Sequence, residues 1–223
     1  MSVRPSPTFV YNPPVEPFLD IVHEDEDLLL VAKPSGLLSV PGKAEEHSDC
    51  IEARARTYCD TARIVHRLDM DTSGIMVLAK NAAAHRHLGL QFERRKTNKT
   101  YIAEIWGELS APSGTVDLPL RCDWPNRPKQ MVCHEQGRSA ITHWEVLEVR
   151  DGISRVRLSP VTGRSHQLRV HMLSLGAPIL GDRFYATGQA LESADRLQLH
   201  AETLTLHHPN GGERMTWVSE CPF

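Results

Sequence analysis

The chain has 223 residues, 40% of them hydrophobic and 24% charged, with a formal net charge of -3. That composition suits a soluble globular protein with a sizeable core and excludes a wholly disordered chain, a collagen-like repeat and a coiled coil. The longest nearly uncharged stretch, 172–180, is far short of the roughly 20 apolar residues of a helical membrane span, so no membrane partner is expected.

Residues 1–17 contain five of the fifteen prolines and no apolar stretch of a secretory signal, and read as an extended arm. A single domain spanning 18–223 is expected to follow. Its first elements are a strand, an acidic turn at Glu24–Asp27 and a second strand, LLLVA, stopped by KPSG. Ser48 is the predicted N-cap of a helix running to Tyr58. ARIVHRLDMDTSGIMVLAKN reads as strand, polar loop closed by Gly74, and strand. Asn81 is placed to cap the next helix, AAAHRHLGLQFERR, which presents Ala84, Leu88 and Phe92 on one face. KTYIAEIWGEL has strand character, and a proline-rich excursion, LPLRCDWPNRPKQ, leads to strands around ITHWEVLEV and ISRVRLSPV. TGRSHQLRVHMLSLG is predicted as a helix ended by Gly176, and LQLHAETLTLHHP as the final strand. Many strands with irregularly interspersed helices indicate an α+β class with a mixed, mostly antiparallel central sheet flanked by helices and loops.

Charge is unevenly distributed. Residues 1–60 carry a net charge of -6, residues 61–171 carry +6 and residues 172–223 carry -3. A basic middle segment attracts phosphates whatever the total charge, although a solvated basic face would show the same pattern. The five cysteines are odd in number and lack CxxC spacing, which argues against a disulfide framework or a zinc knuckle and for reduced thiols in the cytoplasm.

Two polar constellations could carry chemistry. In His66-Arg67-Leu68-Asp69-Met70-Asp71-Thr72-Ser73-Gly74, Asp69 is a carboxylate between two apolar residues at a strand end, a position that calls for a cation. Asp71, Thr72 and Ser73 also suit a turn that bonds its own backbone. In Thr162-Gly163-Arg164-Ser165-His166-Gln167-Leu168-Arg169-Val170-His171, a helical reading points Arg164 and Arg169 about 140° apart, so that one meets the carboxylate and the other faces solvent or phosphate. His166 and His171, five apart, lack the spacing of a helical metal pair, and no metal is expected.

Together these motifs resemble one family. HRLDMDTSG is similar to the HRLDxxTSG signature of the uridine-isomerising pseudouridine synthases, in the branch named for ribosomal large-subunit synthase A. VAKPSGLLSVPG, KTYIAEIWG, TGRSHQLRVH, ILGDRFYA and LHAETLTLHHP resemble that branch's other blocks in order, from about Ile21 to His208. CDWPNRPKQ resembles the subgroup that modifies 23S rRNA and a tRNA anticodon stem-loop, in which no S4-like RNA-binding module precedes the catalytic domain.

The resemblance implies the pseudouridine synthase fold and an isomerase acting without cofactor or metal. It breaks the N1–C1′ bond of uridine and rejoins the base through C5. Asp69 aligns with the essential aspartate, as attacker of C1′, as base at C2′ or as attacker of the uracil ring. Arg169 aligns with the arginine that pairs with it, and Tyr101 with the tyrosine that stacks on the uracil and handles the C5 proton. Arg67, two residues from Asp69 and on the same side of an extended segment, is implied to fill the space left by the flipped uridine, with His66 beside it. Arg94, Arg95, Lys99, Arg127, Lys129 and Arg164 are expected to hold RNA phosphates. A monomer bound only to RNA is expected. Two other readings compete: a non-catalytic RNA-binding protein, and a nucleoside or glycoside hydrolase using Asp69 and Asp71 as paired carboxylates.

Overall fold

The structure, a computed structural model, describes residues 10–223; the first nine residues of the arm lie outside it. The strands in chain order are β1 (Ile21–Glu24), β2 (Leu28–Lys33), β3 (Arg63–Ile64), β4 (Ser73–Ala79), β5 (Asn98–Trp106), β6 (Ser113–Asp117), β7 (Leu120–Cys122), β8 (Gln130–Val132), β9 (Ile141–Arg150), β10 (Ile153–Pro160), β11 (Leu199–His207) and β12 (Arg214–Val218). The helices are α1 (Ile51–Tyr58), α2 (Ala82–Glu93), α3 (Gln167–Ser174) and the single turn α4 (Gln189–Glu192).

Ten strands form one sheet in the order β1-β2-β4-β11-β5-β10-β9-β6, with β12 added to β11 and β3 to β4. The β4–β11 pair is parallel, and the other pairs are antiparallel. β7 and β8 make a separate two-stranded hairpin.

The apolar runs LLLV and IMVL are continuous because both faces of their strands are covered. Leu28, Leu30, Ile75 and Val77 pack on one face with Ala84 and Leu88 of α2. Leu29, Val31, Met76 and Leu78 pack on the other with Ile51 and Ala55 of α1. A third cluster joins Ala103, Ile105, Val156 and Leu158 of β5 and β10 to Leu168 and Met172 of α3.

The arm is fastened to the domain at Tyr11 and Pro14. Arg54, 2% exposed, binds Asp49 through Nε and Nη2 at 2.7 Å each and donates to the carbonyls of Pro14 and Phe18 at 2.7 and 3.1 Å. The Tyr11 hydroxyl donates to the Asp49 carbonyl at 2.7 Å and accepts from Leu38 N at 2.9 Å.

Several sequence expectations change. The cap of α1 is Cys50, whose Sγ accepts from Ala53 N, and Ser48 instead ends a short 3-10 turn. Asn81 does cap α2, its Oδ1 accepting from Ala84 N at 2.8 Å. Gly74 lies inside β4 rather than closing the loop. A Cβ there would stand 2.2 Å from the Ala201 carbonyl oxygen, so only glycine lets β4 meet β11 at φ +116°. α3 begins at Gln167, so Arg164 is not helical and the 140° argument does not apply to it. β11 is not the last strand, and β6 and β12 were not foreseen.

Candidate active site

The starts of β4 and β11 meet at the middle of the sheet, where Ser73 pairs with His200 and Gly74 with Ala201. Tyr101 of β5 lies opposite Ala201. A cleft of about 1020 Å³ opens there, lined by Asp69, Tyr101, Arg169, Arg67, His66 and Lys99 among others.

Asp69 sits on the extended segment that enters β4. Leu68 is buried in the α1-side core, so alternation turns Arg67 and Asp69 toward the cleft. The flanking backbone is fastened. The ammonium of Lys33, 1% exposed, donates to the carbonyls of Pro34, Leu37 and Met70 at 2.8, 2.6 and 2.7 Å. Ser39 Oγ donates to Leu68 O at 2.7 Å and accepts from Leu68 N at 3.1 Å, and Ser35 Oγ donates to Asp71 O at 2.7 Å. The KPSGLLS segment is therefore a clamp on the Asp69 loop. Asp71 opens onto a different cavity, of about 350 Å³, shared with Arg183 and Arg196. The two aspartates do not share one cleft, contrary to what a paired-carboxylate hydrolase needs.

Arg169 Nη1 lies 3.5 Å from Asp69 Oδ2. Its hydrogen bonds, however, go to Asp182: Nε to Oδ2 at 2.7 Å and Nη2 to Oδ1 at 2.6 Å. Arg169 is 2% exposed and Asp182 fully buried, whereas the Asp69 side chain is 28% exposed. Burial works against the Arg169 charge, but the Asp182 bonds and then the Asp69 charge hold its pKa above the ordinary value. Asp182 is thus the partner that makes a buried guanidinium tolerable, and Asp69 receives the unspent face of it.

A second chain of contacts reaches Asp69. Gln130 N donates to the Tyr185 hydroxyl at 2.8 Å, and the same hydroxyl shares a hydrogen bond of 2.7 Å with His166 Nδ1. Burial pushes the Tyr185 phenol up to about 12 and His166 below its usual value, the latter against the pull of Asp69. A neutral His166 that accepts at Nδ1 carries its hydrogen on Nε2, which lies 4.0 Å from Asp69 Oδ2. The His166 ring stacks on Phe184, and Arg169 lies over both Phe184 and Tyr185.

Tyr101 faces the same cleft. Burial and then the Asp69 charge raise its phenol well above the ordinary value, so it meets a substrate as a neutral ring and hydroxyl. That form suits stacking better than proton removal.

The cleft is cationic. Arg67, Arg95, Lys99, Arg127, Arg138, Arg164 and Arg169 line it, against the carboxylates of Asp69 and Glu93. Burial and then the charges of Arg138 and Arg95 lower the pKa of Arg164, a sign of like charges gathered on one wall. Burial likewise lowers that of Lys99.

The structure therefore gathers Asp69, Tyr101, Arg169, Arg67, Arg95, Lys99, Arg127 and Arg164 at one cleft. Arg94 and Lys129 do not line it. His66 does, but its Nε2 accepts from Val77 N at 3.1 Å and its ring stacks on Phe92 with centroids 4.6 Å apart. Burial and then the Lys99 charge lower its pKa to about 3, so it is a neutral brace for β4 rather than a cation for RNA. Lys33, Arg138, Asp182 and Tyr185 are not among the residues that the sequence singles out, and His166 enters there only against metal binding. Lys33 and the ILGDRFYA block lay inside quoted motifs, but nothing local in them marks a partner for Arg169 or for the Asp69 loop.

Comparison with known proteins identifies the relatives of the chain and of its fold. Residues 27–174 match the family model described as RNA pseudouridylate synthase. The chain is 57% identical over 214 residues to the dual-specificity RNA pseudouridine synthase RluA of Salmonella typhimurium, covering 96% of this chain and 98% of that protein. It is 55% identical over 214 residues to the protein of the same name from Escherichia coli K12, with the same coverage, and 51% identical over 213 residues to that of Vibrio cholerae, covering 96% and 87%. Among solved structures, human RNA pseudouridylate synthase domain containing 1 superposes with a TM-score of 0.76 at 29% identity, covering 98% of this chain and 87% of that one. The human domain containing 4 gives 0.73 at 27%, covering 91% and 88%.

Proposed function

The chain belongs to the RNA pseudouridylate synthase family, and from that premise we propose that it converts specific uridines of 23S rRNA and of a tRNA anticodon stem-loop to pseudouridine. The observation that carries this reading is a partly covered carboxylate, Asp69, beside Arg169 and Tyr101 in a cleft whose charged groups, Glu93 apart, are otherwise all cations. The cations hold the sugar–phosphate chain, and Asp69 meets the ribose of one extruded nucleotide.

In the reaction the N1–C1′ bond breaks and a C5–C1′ bond forms. C5 loses a proton and N1 gains one, so no atom is added or lost. As nucleophile at C1′ or base at C2′, Asp69 works through an oxygen not engaged by Arg169. Arg169, fixed by Asp182, sets its direction from Oδ2, and His166 Nε2 lies 4.0 Å from that same Oδ2, which leaves Oδ1 for the ribose. Tyr101 stacks on the uracil, and the C5 proton leaves through water. Arg67, the exposed neighbour of Asp69 at the mouth, takes the place of the extruded base. Asp69, Tyr101 and Arg169 come from one chain, which favours action as a monomer. The five free cysteines favour the cytoplasm.

The test is tritium release from 5-tritiated uridine in transcripts of the two RNAs. The wild-type chain should release tritium and form pseudouridine, and Asp69→Asn should release none while binding RNA within about tenfold. Free uracil as product would establish a hydrolase instead. Tight binding without release by the wild-type chain would leave an RNA-binding protein.

A further inference from the structure

The β7–β8 hairpin stands outside the main sheet, and its turn carries Trp124, 65% exposed. Trp144 and Trp217, by contrast, are 8% exposed each. The Arg127 guanidinium lies 4.7 Å from the Trp124 ring centroid. The turn is closed on itself: Asp123 N donates to Lys129 O at 2.9 Å, and Asn126 Nδ2 to Asp123 Oδ2 at 2.8 Å. Its base is seated on the body through Leu120, packed with Ala140 and Val170, and through the Gln130–Tyr185 hydrogen bond. Arg127, Pro128 and Gln130 line the Asp69 cleft, so the indole stands at the cleft rim.

A large aromatic ring on an ordered turn gives up the burial that would stabilise it elsewhere. Its charged companion faces a cleft with an excess of cations, so the expected occupant is a polyanion with flat faces. We propose that Trp124 and Arg127 form a stacking subsite for an unpaired RNA nucleobase other than the target uridine, with Arg127 covering the ring or the adjoining phosphate. The proposal rests on the reading of the chain as an RNA-modifying enzyme. It adds a specificity device: the hairpin admits RNAs that offer a second exposed base at a fixed distance from the target. Stacking on an indole is tolerant of base identity, so the subsite selects loop architecture rather than sequence.

The experiment uses the full chain, an RNA stem-loop and a blunt duplex made from its stem. Trp124→Ala should weaken binding to the stem-loop about tenfold, with the salt dependence unchanged, because no charge is removed. Trp124→Phe should bind within about threefold of wild type. Arg127→Ala should lower the salt slope by about one ion. Duplex binding should not respond to Trp124→Ala. An abasic scan of the loop should find one position, apart from the target, where the wild-type chain loses affinity and Trp124→Ala loses no more. Equal loss on duplex and stem-loop, failure of Phe to substitute, or the absence of such a loop position would overturn the proposal. Tritium release is a separate readout: its absence in the wild-type chain would remove the isomerase reading, while the loop-specific loss would still establish the subsite.

Discussion

Arg169 faces two aspartates, and the structure assigns them different work that mutation can separate. Asp182→Asn keeps the side-chain shape but replaces one carboxylate oxygen with an amide that cannot accept from the guanidinium. The pair it breaks is buried on both sides, at 2% and 0% exposure, with contacts of 2.6 and 2.7 Å. Asp182 Oδ1 also accepts from the backbone of Phe184 and Tyr185, at 2.9 and 3.2 Å. Breaking one side of a buried pair costs about 3–5 kcal/mol, and retention of one oxygen puts this variant near 3. At about 2–4 °C per kcal/mol for a chain of this size, Tm should fall by about 6–12 °C. Asp69→Asn removes a carboxylate that is 28% exposed and 3.5 Å from the guanidinium without a hydrogen bond to it. Its stability cost should stay below about 1 kcal/mol, yet turnover should vanish. Asp182→Asn, assayed well below its Tm, should keep reduced but measurable turnover. Calorimetry with single-turnover tritium release on both variants decides the matter. Equal melting temperatures, or an Asp182→Asn protein that melts with wild type, would refute the division of roles.

Lys33→Met removes the donor shared by three loop carbonyls. It should cost at least about 2 kcal/mol in denaturant melts and depress turnover far more than RNA affinity, since the cleft cations remain. His66 is held neutral in the fold with its pKa lowered to about 3, while the unfolded chain takes up the proton near 6.5; its contribution to stability is therefore complete above about pH 6.5 and is lost as pH falls toward 3. His66→Gln should flatten that part of the stability–pH curve, as measured by urea midpoints across the window. Arg67→Ala should slow single turnover more on a structured stem-loop than on an unstructured strand, because extruding a stacked base costs a few kcal/mol that the strand does not require. Equal losses on both RNAs would remove Arg67 from the flipping role.

The parts of this molecule that were legible in its sequence are those set by local pattern. The apolar runs of β2 and β4, the Asn81 cap and the strand character around Tyr101 follow from spacing alone, and the family motifs carry Asp69, Tyr101 and Arg169 together. β6 and β12 were missed because SGTVD and RMTWV have little apolar alternation and are strands mainly through pairing with β9 and β11. α3 starts later than the sequence pattern predicts because His166 adopts φ 52°, a left-handed turn that residue type alone does not announce. Asp182 was invisible for another reason. Its carboxylate is defined by a buried guanidinium thirteen residues away, and nothing in GDRFY distinguishes such a partner from a surface aspartate.

The same distinction explains how a chain of net charge -3 can hold RNA. A carboxylate beside a polyanion repels it, and in the proposed reaction Asp69 must nonetheless reach a ribose. The structure meets both demands by depth. Arg67, Arg95, Arg127 and Arg138 are exposed at the cleft, where phosphates arrive first, while Asp69 lies partly covered with Arg169 beside it. Arg169 at 3.5 Å shares its charge between Asp182 and Asp69, so it offsets only part of the field that Asp69 would project to the mouth, and the exposed rim cations offset the rest while the carboxylate stays able to react at contact distance. Neutralising Arg169 should therefore act on RNA twice, by misdirecting Asp69 and by exposing the phosphates to its field. Neutralising a rim cation such as Arg138 should act on binding alone. In Arg138→Ala, kcat should hold and KM should rise with a shallower salt dependence, and a fall in kcat there would contradict the separation by depth.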